Sequence, residues 1–198
     1  MEEREHNKYY YSLYEVATAV NSARTTECVL STLAESVTKA LEAKACSLML
    51  LTPDRKTLVH TAAYGLSERF VQKGPVSADK SIAEALEGRS ILVLNVAEDE
   101  RVQYPEQTKR EGIASVLCVP MKLREKIIGV VRVYTAQPRH FTTDDIQFVE
   151  TVANLGAIAL ENAMLYESSQ KDCQALSREL LEWRAAFGVW PPRLSYRR

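Results

Sequence analysis

The sequence lacks the long apolar segments that would place a protein in a membrane. Its first residues are polar and acidic and contain no apolar core of the kind that a signal peptide needs. No apolar run approaches the ~20 residues required to span a bilayer as a helix. We therefore expect a soluble protein, localised to the cytoplasm and without a membrane partner.

Paired cysteines are also missing. The four cysteines, Cys28, Cys46, Cys118 and Cys173, lie far apart and form no Cys-X-X-Cys pair. Structural zinc sites and disulfide frameworks are both recognised by closely spaced cysteines. The sequence therefore predicts no metal site, and the cysteines are expected to be reduced, small apolar side chains.

An excess of one charge is lacking as well. Lys and Arg together number 25 and Asp and Glu 26, which gives a formal net charge of -1. A nucleic-acid-binding surface needs a basic patch, so we expect no nucleic-acid partner. Apolar residues make up 46% of the 198 residues, enough for the core of one domain with extra helix at its ends.

The periodicity of the apolar residues predicts an α+β fold with a central antiparallel sheet. Helical spacing indicates one helix from about Asn7 to Asn21 and a second beginning near Thr25 or Thr26. Near-continuous apolar runs between turn residues predict strands that are covered on both faces. The expected strands are 45–52, 58–64, 91–96, 115–123 and 126–134, with short helices at 67–72 and from Ser81 and a partial helix within 98–111.

The C-terminal segment predicts one long helix. Thr142 followed by Asp145 is a helix start signal, and no Gly or Pro interrupts residues 161–187. A heptad pattern typical of coiled coils can be drawn beyond residue 165. Its two core positions hold Tyr166, Cys173, Leu180 and Phe187, and Ser169, Leu176 and Trp183. We expect a homodimer through this helix; the alternative is that the helix folds back onto its own domain.

Four short motifs, in order, resemble the GAF domain, a small-molecule-sensing signalling module. They are GIASVLCVP at 112–120, IGV at 128–130, FTTDD at 141–145 and ENAMLY at 161–166. The resemblance extends over about residues 24–166. We therefore expect an N-terminal packing or dimerisation helix at 1–23, a GAF domain at 24–166, and a coiled-coil-like helix with a basic tail at 167–198.

The resemblance implies a five- or six-stranded sheet between helical layers, with a ligand pocket on the face opposite the N- and C-terminal helices. GAF domains hold cyclic nucleotides, tetrapyrroles, other small molecules or no known ligand, so the cofactor stays unknown. The signature of the cyclic-nucleotide-binding members is missing, and no Cys-His neighbour pair suggests bilin attachment. Asp99-Glu100-Arg101 fits the lid loop of the family, whereas residues 77–80 lack the glycine often found there.

Strand alternation selects the candidate ligand-binding residues. It places Arg132 and Tyr134 on the face opposite Val131 and Val133, hence on the pocket side if the apolar set faces the long helices. A guanidinium there could hold a carboxylate or phosphate; the alternative is pairing with a carboxylate of the protein. The candidate ligand-binding residues are Arg132, Tyr134, Ser81, Tyr104 and Cys118.

Three functions remain open. The first is a non-enzymatic sensory or regulatory protein with an unknown small-molecule ligand and a signalling partner, and the second is a ligand-free dimerisation scaffold. The third is a cysteine-dependent enzyme resembling free methionine sulfoxide reductases, if Cys46 and Cys118 face the pocket. His60 and His140 are isolated, with no second ligand at a spacing that would indicate haem or metal binding.

Overall fold

The computed structural model describes residues 2–22, 26–78 and 83–187. The chain divides into two compact units, residues 1–161 and residues 162–198. The elements in chain order are α1 (Glu2–Ser22), α2 (Thr26–Ala40), β1 (Ala45–Leu51), β2 (Thr57–Tyr64), α3 (Glu68–Val71), β3 (Val76–Ser77), α4 (Ala83–Leu86), β4 (Ile91–Val93), α5 (Pro105–Arg110), β5 (Ser115–Leu123), β6 (Lys126–Thr135) and α6 (Thr143–Phe187).

Six strands form one sheet in the order β3-β2-β1-β6-β5-β4, and every neighbouring pair is antiparallel. This confirms the α+β fold class and both predicted hairpins, β1–β2 and β5–β6. The sixth strand, β3, has no counterpart among the sequence-based strands because only two of its residues pair with β2. A two-residue strand is too short to show a period.

The fourth strand is shorter than expected, ending at Val93 rather than at Val96. The chain turns at Asn95, whose side-chain oxygen accepts a hydrogen bond from the Ala97 backbone N–H at 3.1 Å. Asparagine favours such turns because its side chain replaces a backbone acceptor. The prediction of a strand over 91–96 was therefore wrong for its second half.

One face of the sheet carries the main hydrophobic core. Helices α1, α2 and the beginning of α6 supply apolar side chains that pack onto β1, β5 and β6. The fully buried members include Leu33, Leu48, Val131 and Val133. Gly129 permits close approach of β6 to β1, because a Cβ there would lie 2.2 Å from the Met49 carbonyl oxygen.

Helix α6 begins at a buried polar cluster, as Thr142 and Asp145 predicted. The Asp145 backbone N–H donates to Thr142 Oγ1 at 3.1 Å, and the Thr142 N–H donates to Asp145 Oδ2 at 2.9 Å. This reciprocal pair is a capping box in which Asp replaces the usual Glu. Asp145 also accepts hydrogen bonds from the Tyr9 hydroxyl and the Arg139 guanidinium. The cluster fixes α1 against the start of α6.

In the second unit, residues 162–187 continue as helix. Leu176, Leu180 and Trp183 of the heptad positions are each more than 60% exposed. Gly188 and the prolines that follow it, where the uninterrupted stretch ends, lie outside the described residues. Within residues 2–22, 26–78 and 83–187, no helix has both the length and the apolar character to cross a membrane.

Candidate functional site

A pocket lies on the sheet face opposite the α1–α2–α6 layer. The enclosed part of this pocket is small, about 50 Å³, and the pocket opens to solvent at its mouth. Strands β4, β5 and β6 form its floor, and α3 with the segment leading into α5 forms its walls. Its lining includes Phe70, Lys73, Ile91, Arg101, Tyr104, Cys118, Arg132 and Tyr134.

The floor of the pocket is polar at its centre. Arg132 pairs in register with Ser47 on β1 and with Cys118 on β5, so all three lie side by side on one face. Tyr134 is buried, and its hydroxyl lies 3.0 Å from Ser47 Oγ. Burial raises the pKa of the Cys118 thiol and of the Tyr134 phenol, although the Arg132 guanidinium opposes both shifts. Both groups are therefore neutral at physiological pH.

A short capped helix positions the wall of the pocket. Ser67 caps α3 by accepting from the Phe70 N–H at 3.2 Å, and the Glu111 carboxylate accepts from the Ser67 N–H and hydroxyl at 2.8 and 2.6 Å. The Phe70 ring meets Tyr134 edge-on, with centroids 6.0 Å apart. Lys73 lies in the turn after α3, and its Nζ is 3.6 Å from the Phe70 ring centroid. The Ser67 cap thus orients the turn that carries Lys73 toward the pocket.

Lys73 and His60 form a close pair. Lys73 Nζ donates to the Phe70 carbonyl at 3.1 Å and lies 3.3 Å from His60 Nε2. Burial and the nearby Arg132 lower the pKa of Lys73 to about 8. Burial, Lys73 and Arg132 lower the pKa of His60 to about 4, so the imidazole is neutral at pH 7. These two cations and the histidine thus share one region of positive potential.

The tautomer of His60 follows from this contact. If Lys73 donates to Nε2, the single proton of the neutral ring resides on Nδ1. The Nδ1 atom is buried and has no acceptor among the residues that the structure describes. A buried donor without an acceptor costs free energy, so His60 leaves an unused N–H in this part of the molecule.

On the opposite wall of the pocket, carboxylates of the protein neutralise the charge of Arg101. Arg101 makes ion pairs with Asp99 at 2.6 Å and Glu84 at 3.3 Å, and it also donates to the Leu92 carbonyl at 3.4 Å. Next to it, the Tyr104 hydroxyl donates to the Pro75 carbonyl at 2.9 Å. Arg101 therefore closes this wall of the pocket as a structural ion pair.

The structure brings together four of the five candidate ligand-binding residues. Arg132, Tyr134, Tyr104 and Cys118 all line the pocket, and Val131 and Val133 face the long helices as alternation predicted. Their role in ligand binding remains a prediction. The fifth candidate, Ser81, lies outside the described residues.

Cys46 and His140, the other candidate reactive or metal-binding residues, lie outside the pocket. Cys46 is buried in the core under the helices, as expected of a small apolar side chain, and burial raises the pKa of its thiol far above the usual value. The condition for the enzymatic alternative, that both Cys46 and Cys118 face the pocket, is therefore not met. His140 is exposed in the loop before α6. Within the described ranges, no three His, Cys, Asp or Glu side chains are grouped as metal ligands.

Sequence reasoning missed the wall residues Phe70 and Lys73, and it considered His60 only as a haem or metal ligand. No local pattern marks Lys73, which follows a four-residue helix. Strand alternation is also unreliable for His60, because the β1–β2 register shifts between Leu48 and Met49. As a result His60 contacts Lys73 at the pocket wall, whereas Ala62 packs in the core on the other face.

Solved structures of the same fold include several signalling domains. The GAF domain of an Acinetobacter phosphoenolpyruvate-protein phosphotransferase is 22% identical and has a TM-score of 0.68, with 79% of this chain and 94% of that one covered. A domain of a putative two-component sensor histidine kinase from Sinorhizobium meliloti is 21% identical with a TM-score of 0.63, covering 75% and 99%. At these identities the likeness shows the fold alone.

A third similar structure is a far-red absorbing dark state with bound biliverdin IXa. It is 14% identical and has a TM-score of 0.64, with 77% of this chain and 99% of that one covered. Comparison with curated protein sequences yields no match. The sequence model of the GAF domain matches residues 25–162, which is more than half of the chain. Together with the six-stranded antiparallel sheet and its covered pocket, this match establishes that the chain belongs to the GAF domain family.

Proposed function

We propose that this GAF protein is a sensory or regulatory module. In this proposal a small molecule binds in the pocket over the sheet, and the terminal helices of a dimer transmit the response to a signalling partner. The observation that carries the proposal is a pocket on the sheet face opposite the helices, with buried polar and charged groups on its floor. A similar fold that holds biliverdin IXa supports small-molecule binding by this architecture.

A continuous set of contacts leads from the sheet to the helices. Ser115, the first residue of β5, accepts through its hydroxyl from the Arg139 backbone N–H at 3.1 Å. The Arg139 guanidinium in turn donates to the Leu41 carbonyl at the end of α2 and to Asp145 at the start of α6. Tyr9 of α1 joins the same carboxylate. A change in the sheet would therefore reach three helices through one buried cluster, biasing the population of two helix arrangements.

Dimerisation through the C-terminal helix is the second part of the proposal. The heptad positions give a 3.5-residue period, and that period suits pairing with an identical helix. Leu176, Leu180 and Trp183 are exposed in the single chain, so a second copy would remove a contiguous apolar seam from water. Light scattering should then give twice the mass of the 22.3 kDa chain.

The native cysteines test the orientation of this dimer. In a parallel coiled coil, identical core positions face each other, so the two Cys173 thiols would lie close enough for oxidation to a disulfide. Cys28 is the other exposed cysteine and is not part of the heptad. A dimer cross-link that disappears in Cys173→Ser and persists in Cys28→Ser supports the parallel arrangement. A monomeric mass at micromolar concentration would remove the dimer from the proposal.

Mass spectrometry under native conditions tests ligand binding directly. The protein should carry a copurifying small molecule, or a metabolite library should raise its thermal midpoint through preferential binding to the folded state. Matched measurements on Tyr134→Phe, which keeps the ring and removes the hydroxyl, would connect the effect to the pocket floor. If no compound stabilises the protein and nothing copurifies, the ligand-free scaffold replaces the sensor.

A further inference from the structure

We propose that the ligand carries an oxyanion, a carboxylate or a phosphate, and that this group binds between Lys73 and Arg132 beside His60. The inference rests on the sensory function above and specifies its ligand class. It is carried by two cations that line the same pocket, Lys73 and Arg132, and by His60, which contacts Lys73 from behind the lining. Each of these residues comes from a different element: β2, the turn after α3, and β6.

The three side chains offer a set of donors of one sign. Only two of the three N–H donors of Lys73 have acceptors among the described residues, namely the Phe70 carbonyl and His60 Nε2. The guanidinium of Arg132 presents a planar fork suited to two oxygens of one anion, and its Nε is buried. His60 adds the buried Nδ1–H. An oxyanion supplies acceptors for the third N–H of Lys73 and for the Nδ1–H of His60.

The contrast with Arg101 shows that the arrangement is more than a structural ion pair. Arg101 lies on the same pocket, but two carboxylates, Asp99 and Glu84, hold it. The carboxylate that acts on Lys73 is Glu111, whose two oxygens already accept from Ser67. Carboxylates of the protein thus neutralise Arg101, whereas Lys73 has no ion pair among the described residues.

The remainder of the pocket indicates the shape of the ligand. Phe70 and Tyr104 present rings beside Lys73, and Ile91 and Val93 supply an apolar floor next to Cys118. These surfaces suit a flat apolar body attached to the anionic group. Benzoate and phenyl phosphate combine both features, and benzamide is the neutral counterpart of benzoate with nearly the same shape.

The experiment compares these three probes by calorimetry and by backbone amide chemical shifts. We expect benzoate or phenyl phosphate to bind at least tenfold more tightly than benzamide, with shifts at residues 60, 73 and 132. Preference between the two anions distinguishes a carboxylate ligand from a phosphate ligand. Lys73→Met and Arg132→Met should each abolish the preference for the anions over benzamide. The control Lys126→Met removes an exposed lysine from the same strand as Arg132 and should preserve that preference.

The pH dependence adds a second readout that does not depend on any variant. The titratable and charged groups around Lys73 are His60, Arg132, Glu111 and Tyr104. Lys73 loses its proton around pH 8 in the ligand-free protein. Benzoate affinity should therefore fall about tenfold between pH 7 and pH 9, since only the protonated fraction is competent.

Equal binding of benzamide and benzoate would overturn the oxyanion assignment while leaving a small-molecule pocket intact. Failure of all three probes to bind would also overturn it. The proposed function would survive that failure if another compound copurifies or stabilises the fold, and it would fall only if none does. Circular dichroism of each variant verifies that a lost preference reflects a lost charge rather than a lost fold.

Discussion

Replacing Asp145 by Asn should destabilise the protein more than any other single change to an acidic side chain in the described part of the chain. Asp145 is only 3% exposed and accepts hydrogen bonds from the Tyr9 hydroxyl, the Thr142 N–H and the Arg139 guanidinium. Asn removes the charge and places an amide N–H₂ where one carboxylate oxygen had been. Because all three partners are donors, the amide N–H₂ meets a donor where the carboxylate oxygen had accepted, and a hydrogen bond is lost.

The magnitude follows from the kinds of contact that are lost. A hydrogen bond to a charged group contributes about 1.5–3 kcal/mol, and leaving a buried donor unsatisfied costs about 1–3 kcal/mol. Arg139 is 32% exposed at its side chain, so water can replace part of its loss. We expect Asp145→Asn to lower the free energy of unfolding by about 2–4 kcal/mol.

Urea unfolding followed by circular dichroism measures this difference. Asp144→Asn is the matched control, since Asp144 lies in the same first helical turn but is exposed, and it should cost only about 0.3–1 kcal/mol through the helix dipole. A double-mutant cycle with Tyr9→Phe isolates the contact between α1 and α6, for which we expect a coupling of about 1–2 kcal/mol. The reasoning fails if Asp145→Asn and Asp144→Asn destabilise equally.

Three further predictions concern the sheet, the thiols and the pocket. Gly129→Ala should lower the free energy of unfolding by more than about 3 kcal/mol, because the added methyl would lie 2.2 Å from the Met49 carbonyl oxygen of the neighbouring strand; stability near that of the parent would contradict this packing. A thiol reagent should modify the exposed Cys28 rapidly and the buried Cys46 and Cys118 only on unfolding. Lys73→Met should raise the stability of the ligand-free protein at pH 7 by about 1 kcal/mol, since a full pKa shift of this size would represent about 3 kcal/mol and solvent at the ammonium reduces it. Because the folded pKa of about 8 lies below the ordinary 10.5, that gain should be complete below pH 8 and vanish as the pH rises toward 10.5, as urea unfolding across this range would record.

The parts of this fold that were predictable from sequence are those with a long local pattern. The hairpin β5–β6 and the start of α6 carry their own turn and capping signals, and their expected bounds agree with the structure within a residue or two. Alternation in β6 sufficed to orient Arg132, because one of the two faces of that strand is purely apolar. The same argument gave only a weak direction for Cys46, since the one polar side chain of β1 is the small Ser47 and both faces of the strand are otherwise apolar.

The wall of the pocket was not predictable for a different physical reason. Lys73 reaches its position through the Ser67 cap, and Glu111, more than forty residues along the chain, holds that cap. No period or motif in a single sequence encodes such a contact. A register shift separates His60 from Ala62, so alternation along the strand does not relate the faces on which the two residues lie. Tertiary contacts, rather than local preference, therefore determine the chemistry of this end of the site.

The two faces of the sheet differ in a way that folding alone does not require. On the α1–α2–α6 side the sheet is covered by apolar side chains, which is the arrangement of lowest free energy for a covered sheet. On the pocket side the same strands carry Arg132 and lie beside Lys73 and His60, whose pKa values are both lowered by burial. An apolar residue at any of these positions would avoid the desolvation of a charge or an unsatisfied donor. Local departures from the most stable choice concentrate where a protein binds or reacts. The buried Asp145 on the helical side is matched by three donors, whereas His60 Nδ1 beside the pocket has no acceptor among the described residues. That asymmetry is the physical reason for assigning the function to this face of the sheet rather than to the more extensive helical surface.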